Sequence, residues 1–331
     1  MPKQKAYNLD KTFKWPLRWG VVVILVGILF PLAIWKGIGS GQRHNEQPSP
    51  STPTVNSFRS LLTMPVEDLG KLDMEEVNLL CAEGLPGAEK INRQQVGKIL
   101  DAWAAKVQQE TQRYLHKFRQ NPGEFNNSGA YFRILTLVTV LQQDIGVHYN
   151  EARILSPDFS DSRDLFVHGL VGGGRGGTCI SMPVLYVAVG RRLGYPLKLV
   201  TAKAHLFARW ENPDSSERFN IEATNKGLNC FPDEYYHTWP VALTAAEITG
   251  GVFLKSLTPA EELAVFLSVR GHCLDAARRW PEAQQAFVHA HLLAPRAPQY
   301  LAFLADVVRK EMPEWERVRV DLGQSERMRR Q

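Results

Sequence analysis

Cysteine is scarce in this chain. Only Cys81, Cys179, Cys230 and Cys273 occur among 331 residues, and no two of them form a Cys-x-x-Cys pair. That spacing excludes the common structural zinc sites. His168, His237 and the pair His289/His291 lack partners at ligand spacing, and Asp158, Asp161 and Asp164 do not follow a calcium-loop pattern. The sequence therefore calls for no metal and no cofactor. An excess of one charge is also missing from the middle of the chain. The net charge of +5 gathers partly at the ends, in Lys3, Lys5, Lys11, Lys14 and Arg18 and in Arg327, Arg329 and Arg330. Nothing marks a nucleic-acid partner.

Two nucleotide motifs are approached but not completed. Gly172-x-Gly174-x-x-Gly177, after a short apolar stretch at Leu165 to Val167, fits a dinucleotide fingerprint. The acidic residue expected about 20 positions later is absent, since Leu197 to Lys203 holds no carboxylate. A phosphate-binding loop needs Lys and then Ser or Thr after its last glycine, and Thr178-Cys179 supplies neither.

What the glycines do deliver is Cys179, at the front of an apolar segment that ends with Arg191, Arg192, Gly194 and Pro196. Pro183 would remove a hydrogen bond from a helix begun at Cys179, so regular helix is expected from about Ser181. Cys179 then stands just ahead of a helix N-terminus, whose dipole favours thiolate. Taken alone, Cys179 would read as a small buried residue behind a loop.

The run from Trp19 to Trp35 is almost wholly apolar and, extended to Ile38, is long enough to span a bilayer. Tryptophans sit at both ends, and five basic residues precede it. These features predict a signal anchor with a cytoplasmic N-terminus and an extracytoplasmic body. A cleaved signal peptide is the alternative, though no Ala-x-Ala site follows. Residues 39–62, rich in Gly, Ser, Pro, Asn and Gln, read as a flexible linker.

Helical periodicity follows. Asp73, with Glu76 three residues on, suggests a capping box. A longer amphipathic pattern runs from Asn92 to Phe118, and a mostly apolar helix is expected from Ala130 to Ile145. Beyond Pro196 the period changes. Leu197 to Thr201, His205 to Trp210 and Arg218 to Thr224 read as strands, with turn chemistry between the last two. Placing His205 opposite Glu222 sets Trp210 opposite Glu217 and leaves a six-residue loop. A histidine and a carboxylate then share one face of a hairpin. Asn220 lies on the same face and is the alternative orienting residue. Cys179, His205 and Glu222 supply the three chemical types of a thiol nucleophile, its base and the acid that fixes the imidazole tautomer.

Gly176-Gly-Thr-Cys179, Arg192-Leu-Gly-Tyr-Pro196, His205-Leu-Phe-Ala-Arg-Trp210 and Phe219-Asn-Ile-Glu222 resemble the transglutaminase-like superfamily. The resemblance looks closest to a bacterial branch with a helical N-terminal region and a tetratricopeptide-like tail. It implies an α+β, papain-like fold, with the Cys-bearing helix packed on an antiparallel sheet. It also implies that Cys179 is nucleophile, His205 base and Glu222 orienting acid, the last being Asp in the family pattern. Gly271, Ala283, Phe287, Ala290 and Pro295 match a tetratricopeptide spacing, with the inter-helix turn at Arg279 to Ala283. The expected division is 1–18 cytoplasmic, 19–38 anchor, 39–62 linker, 63–255 transglutaminase-like domain, 256–310 repeat helices and 311–331 charged tail. The expected function is a membrane-anchored cysteine hydrolase or acyltransferase acting on peptide or protein amides. The alternative is a catalytically silent module that holds a protein partner on its repeat. Cys81, Cys230 and Cys273 read as packing residues, with one disulfide among them open if the body is extracytoplasmic.

Overall fold

The computed structural model describes residues 55–153, 157–172 and 176–312. The apolar run at 19–38 and the tail beyond 312 lie outside them. Among the described residues no helix is long and apolar enough to cross a membrane.

Order begins inside the stretch expected to be linker. Ser57 and Ser60 form a reciprocal capping box that starts helix α1 (Phe58–Leu62), and Leu61 is buried. Three apolar residues in five give this short helix a side to bury, which the Pro-rich residues before it lack. Helix α2 (Val66–Leu69) leads to α3 (Met74–Ala82). Asp73 is the N-cap of α3, but its side chain makes no cap bond, and Glu76 faces Arg93 at 3.9 Å instead. The expected capping box is therefore not formed. Helix α4 (Arg93–Gln120) starts where Asn92 accepts the Gln95 N–H at 3.0 Å and buries Val96, Leu100, Ala104 and Val107 along one stripe. Helix α5 (Gly129–Thr139) is shorter than its periodicity predicts. Its last turn, Val140–Asp144, widens to π geometry, closed by the Ile145 N–H on the Val140 carbonyl at 3.0 Å. Such turns often mark places where side chains are re-aimed, and this one carries Gln142. A single turn, α6 (His168–Val171), follows.

Helix α7 (Ser181–Arg192) begins at the residue that Pro183 predicts and is buried from Ser181 through Gly190. The chain then forms a three-stranded antiparallel sheet in the order β1 (Leu197–Ala202), β2 (His205–Glu211), β3 (Arg218–Ile221). Leu197, Leu199, Leu206, Ala208, Trp210 and Ile221 join the main core with α7. On the other face Val200, Ala202 and Phe207 form a second cluster with Tyr236. The hairpin register differs by two residues from the sequence expectation. Trp210 pairs with Phe219, and Glu211 with Arg218. The Asn212 N–H reaches the Glu217 carbonyl at 3.0 Å, so Glu217 belongs to the loop and not the ladder. A shift of two leaves every side chain on its expected face.

Beyond the sheet come α8 (Asp233–Tyr236) and α9 (Ala245–Gly250), then a helical hairpin of α10 (Pro259–Ala276) and α11 (Trp280–Leu293), followed by α12 (Gln299–Glu311). The inter-helix turn lies at 277–279, earlier than expected, because Pro281 is accepted in the first turn of α11. Gly271 permits the close crossing, since a Cβ there would stand 2.7 Å from the Phe287 ring. The hairpin is fastened to the body. Arg270 donates to the Cys81 and Glu83 carbonyls at 2.9 and 2.6 Å, and Arg191 grips Glu262 with bonds of 2.9 and 2.6 Å.

Candidate active site

The cysteine is positioned by backbone. The Asp164 carbonyl accepts from the hydroxyls of Thr178 at 2.9 Å and Ser181 at 3.0 Å. The Ser181 hydroxyl in turn accepts the Thr178 N–H at 3.0 Å. Thr178 and Ser181 are fully buried, so these bonds fix the turn between them. On the upstream side Gly177 exchanges 2.8 Å bonds with His148 and Asn150. Gly176 has φ of 74°, and a Cβ there would meet His148 and the Asn150 nitrogen at 3.0 Å. Cys179 emerges half-buried, one residue before the N-cap Ile180 of α7.

His205 opens β2, with its side chain 2% exposed. Its Nε2 lies 2.9 Å from Glu222 Oε2, and Cys179 is the other group that raises the proton affinity of the ring. With Nε2 given to the carboxylate, Nδ1 is the nitrogen left for sulfur. Glu222 stands just beyond β3, where it bridges to Asn229. Its carboxylate accepts four donors: His205 and the Tyr236 hydroxyl (3.0 Å) on Oε2, and the Thr224 N–H (3.1 Å) and hydroxyl (2.6 Å) on Oε1. The Trp239 ring stands edge-on to His205 with centroids 4.6 Å apart.

The electrostatics follow from those contacts. Burial disfavours the imidazolium, but the hydrogen bonds and charges of Cys179 and Glu222 outweigh it and raise His205 to about 9. Burial would also push Glu222 up, yet its bonds to His205 and Thr224 hold it below the usual carboxylate range. Burial pushes Cys81, Cys230 and Cys273 up to about 12, and all four cysteines are free.

Cys179, His205 and Glu222 are thus brought together, and Asn220 is not one of them. Its side chain accepts from Arg209 Nε at 2.7 Å and donates to Asp233 at 2.8 Å. His168 is half-buried against Ser162 (3.3 Å) and lowered to about 4, mainly by burial. Among the described residues no group of three His, Cys, Asp or Glu could hold a metal ion. Sequence reasoning missed Thr224, Tyr236 and the support behind them. Gln142, on the π turn, donates to Tyr186 Oη at 2.8 Å and accepts the Gly227 N–H at 2.7 Å. Thr224 alone carried a signal, two residues after Glu222 on the same face.

Residues 94–264, just over half of the chain, match the family model of the transglutaminase-like superfamily. The chain belongs to that family. No curated protein and no solved structure matches it. The transglutaminase-like match runs from the start of α4 into α10 and contains Cys179, His205 and Glu222. Helices α1–α3 and most of the C-terminal hairpin fall outside it.

Proposed function

We propose that this chain is a cysteine hydrolase or acyltransferase acting on peptide or protein amides through Cys179, His205 and Glu222. The observation that carries the reading is the buried His205, held 2.9 Å from a carboxylate saturated with donors and raised in proton affinity by Cys179. His205 takes the thiol proton, and the sulfur electron pair attacks the amide carbon. The C–S bond forms as the carbonyl π pair moves onto oxygen, near the backbone N–H of Cys179. Collapse of this intermediate breaks the C–N bond, and His205 returns its proton to the departing amine. Water or an acceptor amine, deprotonated by His205, then cleaves the thioester. Glu222 keeps the Nε2–H tautomer and balances the imidazolium.

The apolar run at 19–38 supports a membrane anchor with the body outside the cytoplasm, and the hairpin of α10 and α11 supports a tetratricopeptide-like unit. A second reading, a silent module holding a protein partner, is favoured by Val288, Leu292, Leu301 and Val308, which stand exposed on α11 and α12. Release of amine from a library of acyl-peptide amides distinguishes the two. The full chain should turn over, and its Cys179→Ala variant should not. Equal rates for both proteins would end the catalytic reading.

A further inference from the structure

Hydrogen-bonded to the cysteine turn lies a strap, residues 147–150, that is held on both sides. The Val147 N–H reaches back to the Leu141 carbonyl at 2.9 Å, and His148 and Asn150 exchange 2.8 Å bonds with Gly177. Between those two bonds sits Tyr149, bridged in parallel to Gly177. Neither Gly176 nor Gly177 could carry a side chain without collision. A Cβ on the first meets the strap, and one on the second comes within 2.7 Å of Leu170 and Met182. The strap and the cysteine turn are therefore one unit, and Tyr149 keeps a fixed position relative to Cys179.

The Tyr149 ring is half-buried against the main core. Its phenol sits in the electric fields of both Cys179 and Glu222, with Cys179 the stronger. Burial first, then those two charges, raise it to about 12, so it is a hydroxyl donor throughout the working range of a cysteine enzyme. The neighbouring backbone donors are already engaged: the Thr178 N–H goes to Ser181 and the Ile180 N–H to Thr178. Among the described residues the Cys179 N–H and the Tyr149 hydroxyl have no acceptor.

We propose that the Tyr149 hydroxyl is a catalytic hydrogen-bond donor to the carbonyl oxygen that becomes negative when Cys179 attacks. This rests on the catalytic reading above and adds a residue to it. A side-chain donor fixed before substrate arrives stabilises charge that develops only in the transition state.

The test separates addition to a carbonyl from simple thiol reactivity, using the full chain and its Tyr149→Phe variant. Phe keeps the ring and the backbone bridge and removes only the hydroxyl. The first probe is iodoacetamide, whose alkylation of Cys179 places no charge on a carbonyl oxygen. The second is N-acetylglycinal. It adds the Cys179 sulfur to its carbonyl carbon, while the thiol proton passes to oxygen to give a hemithioacetal, and its affinity is read as protection of Cys179 from alkylation. The variant should be alkylated at the wild-type rate but protected about fivefold less well, the scale of one hydrogen bond to the neutral hemithioacetal oxygen. Its kcat should fall on the order of 10²-fold with KM unchanged, as for other single oxyanion donors. Equal aldehyde protection in both proteins would overturn the proposal. So would a fall in the alkylation rate itself, which would assign the hydroxyl to the thiol. Failure of the wild-type Cys179 to take up either probe would instead bring down the catalytic reading, and this proposal with it.

Discussion

Two buried polar clusters share one face of the sheet and differ in what they can do. At one end of the β2–β3 hairpin, Arg209 lies directly opposite Asn220. Its Nε donates to Asn220 at 2.7 Å, its Nη1 to the Leu254 carbonyl at 3.0 Å and its Nη2 to Asp233 at 2.6 Å. At the other end His205 bonds to Glu222, which takes three more donors from Tyr236 and Thr224. Both clusters centre on a buried side chain and are rich in hydrogen bonds. The guanidinium has every edge committed and never loses its charge. The imidazole has one nitrogen left for a sulfur and a charge that changes within an accessible pH range. A buried network becomes a candidate site when one valence faces a group that reacts, and burial with saturation alone gives only structure.

The sharpest way to break this contrast is to remove each central side chain and compare turnover. His205→Ala should lower kcat by roughly 10²–10⁴-fold, the range for a general base, with Cys179→Ala at background. Arg209→Met should leave kcat per folded molecule near wild type. Amine release normalised to active thiol measures both, and a comparable kcat loss in Arg209→Met would erase the distinction.

Stability should show the reverse emphasis. Arg209 is 1% exposed, and removing its guanidinium takes the donor from Asn220 Oδ1 and one of two donors from Asp233 Oδ1, which keeps Asn220 Nδ2. Asp233 keeps Arg218 at 2.8 Å and remains partly exposed, so the loss should fall at about 3 kcal/mol, the low end for breaking a buried pair. Urea unfolding of the Arg209→Met variant checks it, and an unchanged midpoint would show that the network is dispensable.

Much of this contrast was legible beforehand, for identifiable reasons. Face assignment along a strand depends only on parity, so the two-residue register error did not move His205, Asn220 or Glu222 to the wrong side. Pro183 fixed the start of α7, because a residue without an N–H has few places in a helix. What escaped were contacts made by distant segments. Asp233 and Tyr236 come from one turn of helix more than ten residues past the strand, with no periodicity to aim them. Gln142 is turned by a π bulge that apolar spacing does not encode. The choice between Asn220 and Glu222 rested on which one Arg209 claims, and a strand pattern cannot express a competition between two partners. The linker ended earlier than composition suggested because Ser57 and Ser60 cap a helix together.

The pH dependence of stability should also separate the clusters. His205 is raised to about 9 in the fold from an ordinary 6.5. Its contribution is therefore fully present below about 6.5 and lost as pH rises through about 9. Glu222 and Asp233 are both lowered, so theirs is present above the usual carboxylate range and lost on acidification. The Arg209 cluster thus has an acid limb only. In the wild type, stability should decline between about 6.5 and 9 by on the order of 2 kcal/mol from this source. His205→Gln should flatten that decline, whereas Arg209→Met should retain it. An identical alkaline slope in all three proteins would mean that His205 is not held protonated by its partners.

The smallest effect concerns the helix that serves both clusters. Asp233 and Tyr236 are the first and last residues of α8, so each network holds one end of the same turn. Tyr236→Phe removes a single donor from Glu222 Oε2 but keeps the ring stacked on Phe207, with centroids 4.1 Å apart. The cost in stability should be about 1 kcal/mol, since three donors still satisfy the carboxylate. The chemical consequence is more telling than the energy. A hydrogen bond to a carboxylate stabilises its charged form, so losing one raises its proton affinity. Glu222 then leans more on His205, and the alkaline limb of Cys179 alkylation should move to higher pH while the acid limb moves up with it. A structural role for Tyr236 would lower stability and leave both limbs in place. If Tyr236→Phe instead loosened the Arg209 network, seen as loss of the Arg209→Met stability difference in the double variant, the two clusters would be one cooperative unit joined through α8. The contrast between them would then describe two ends of a single site.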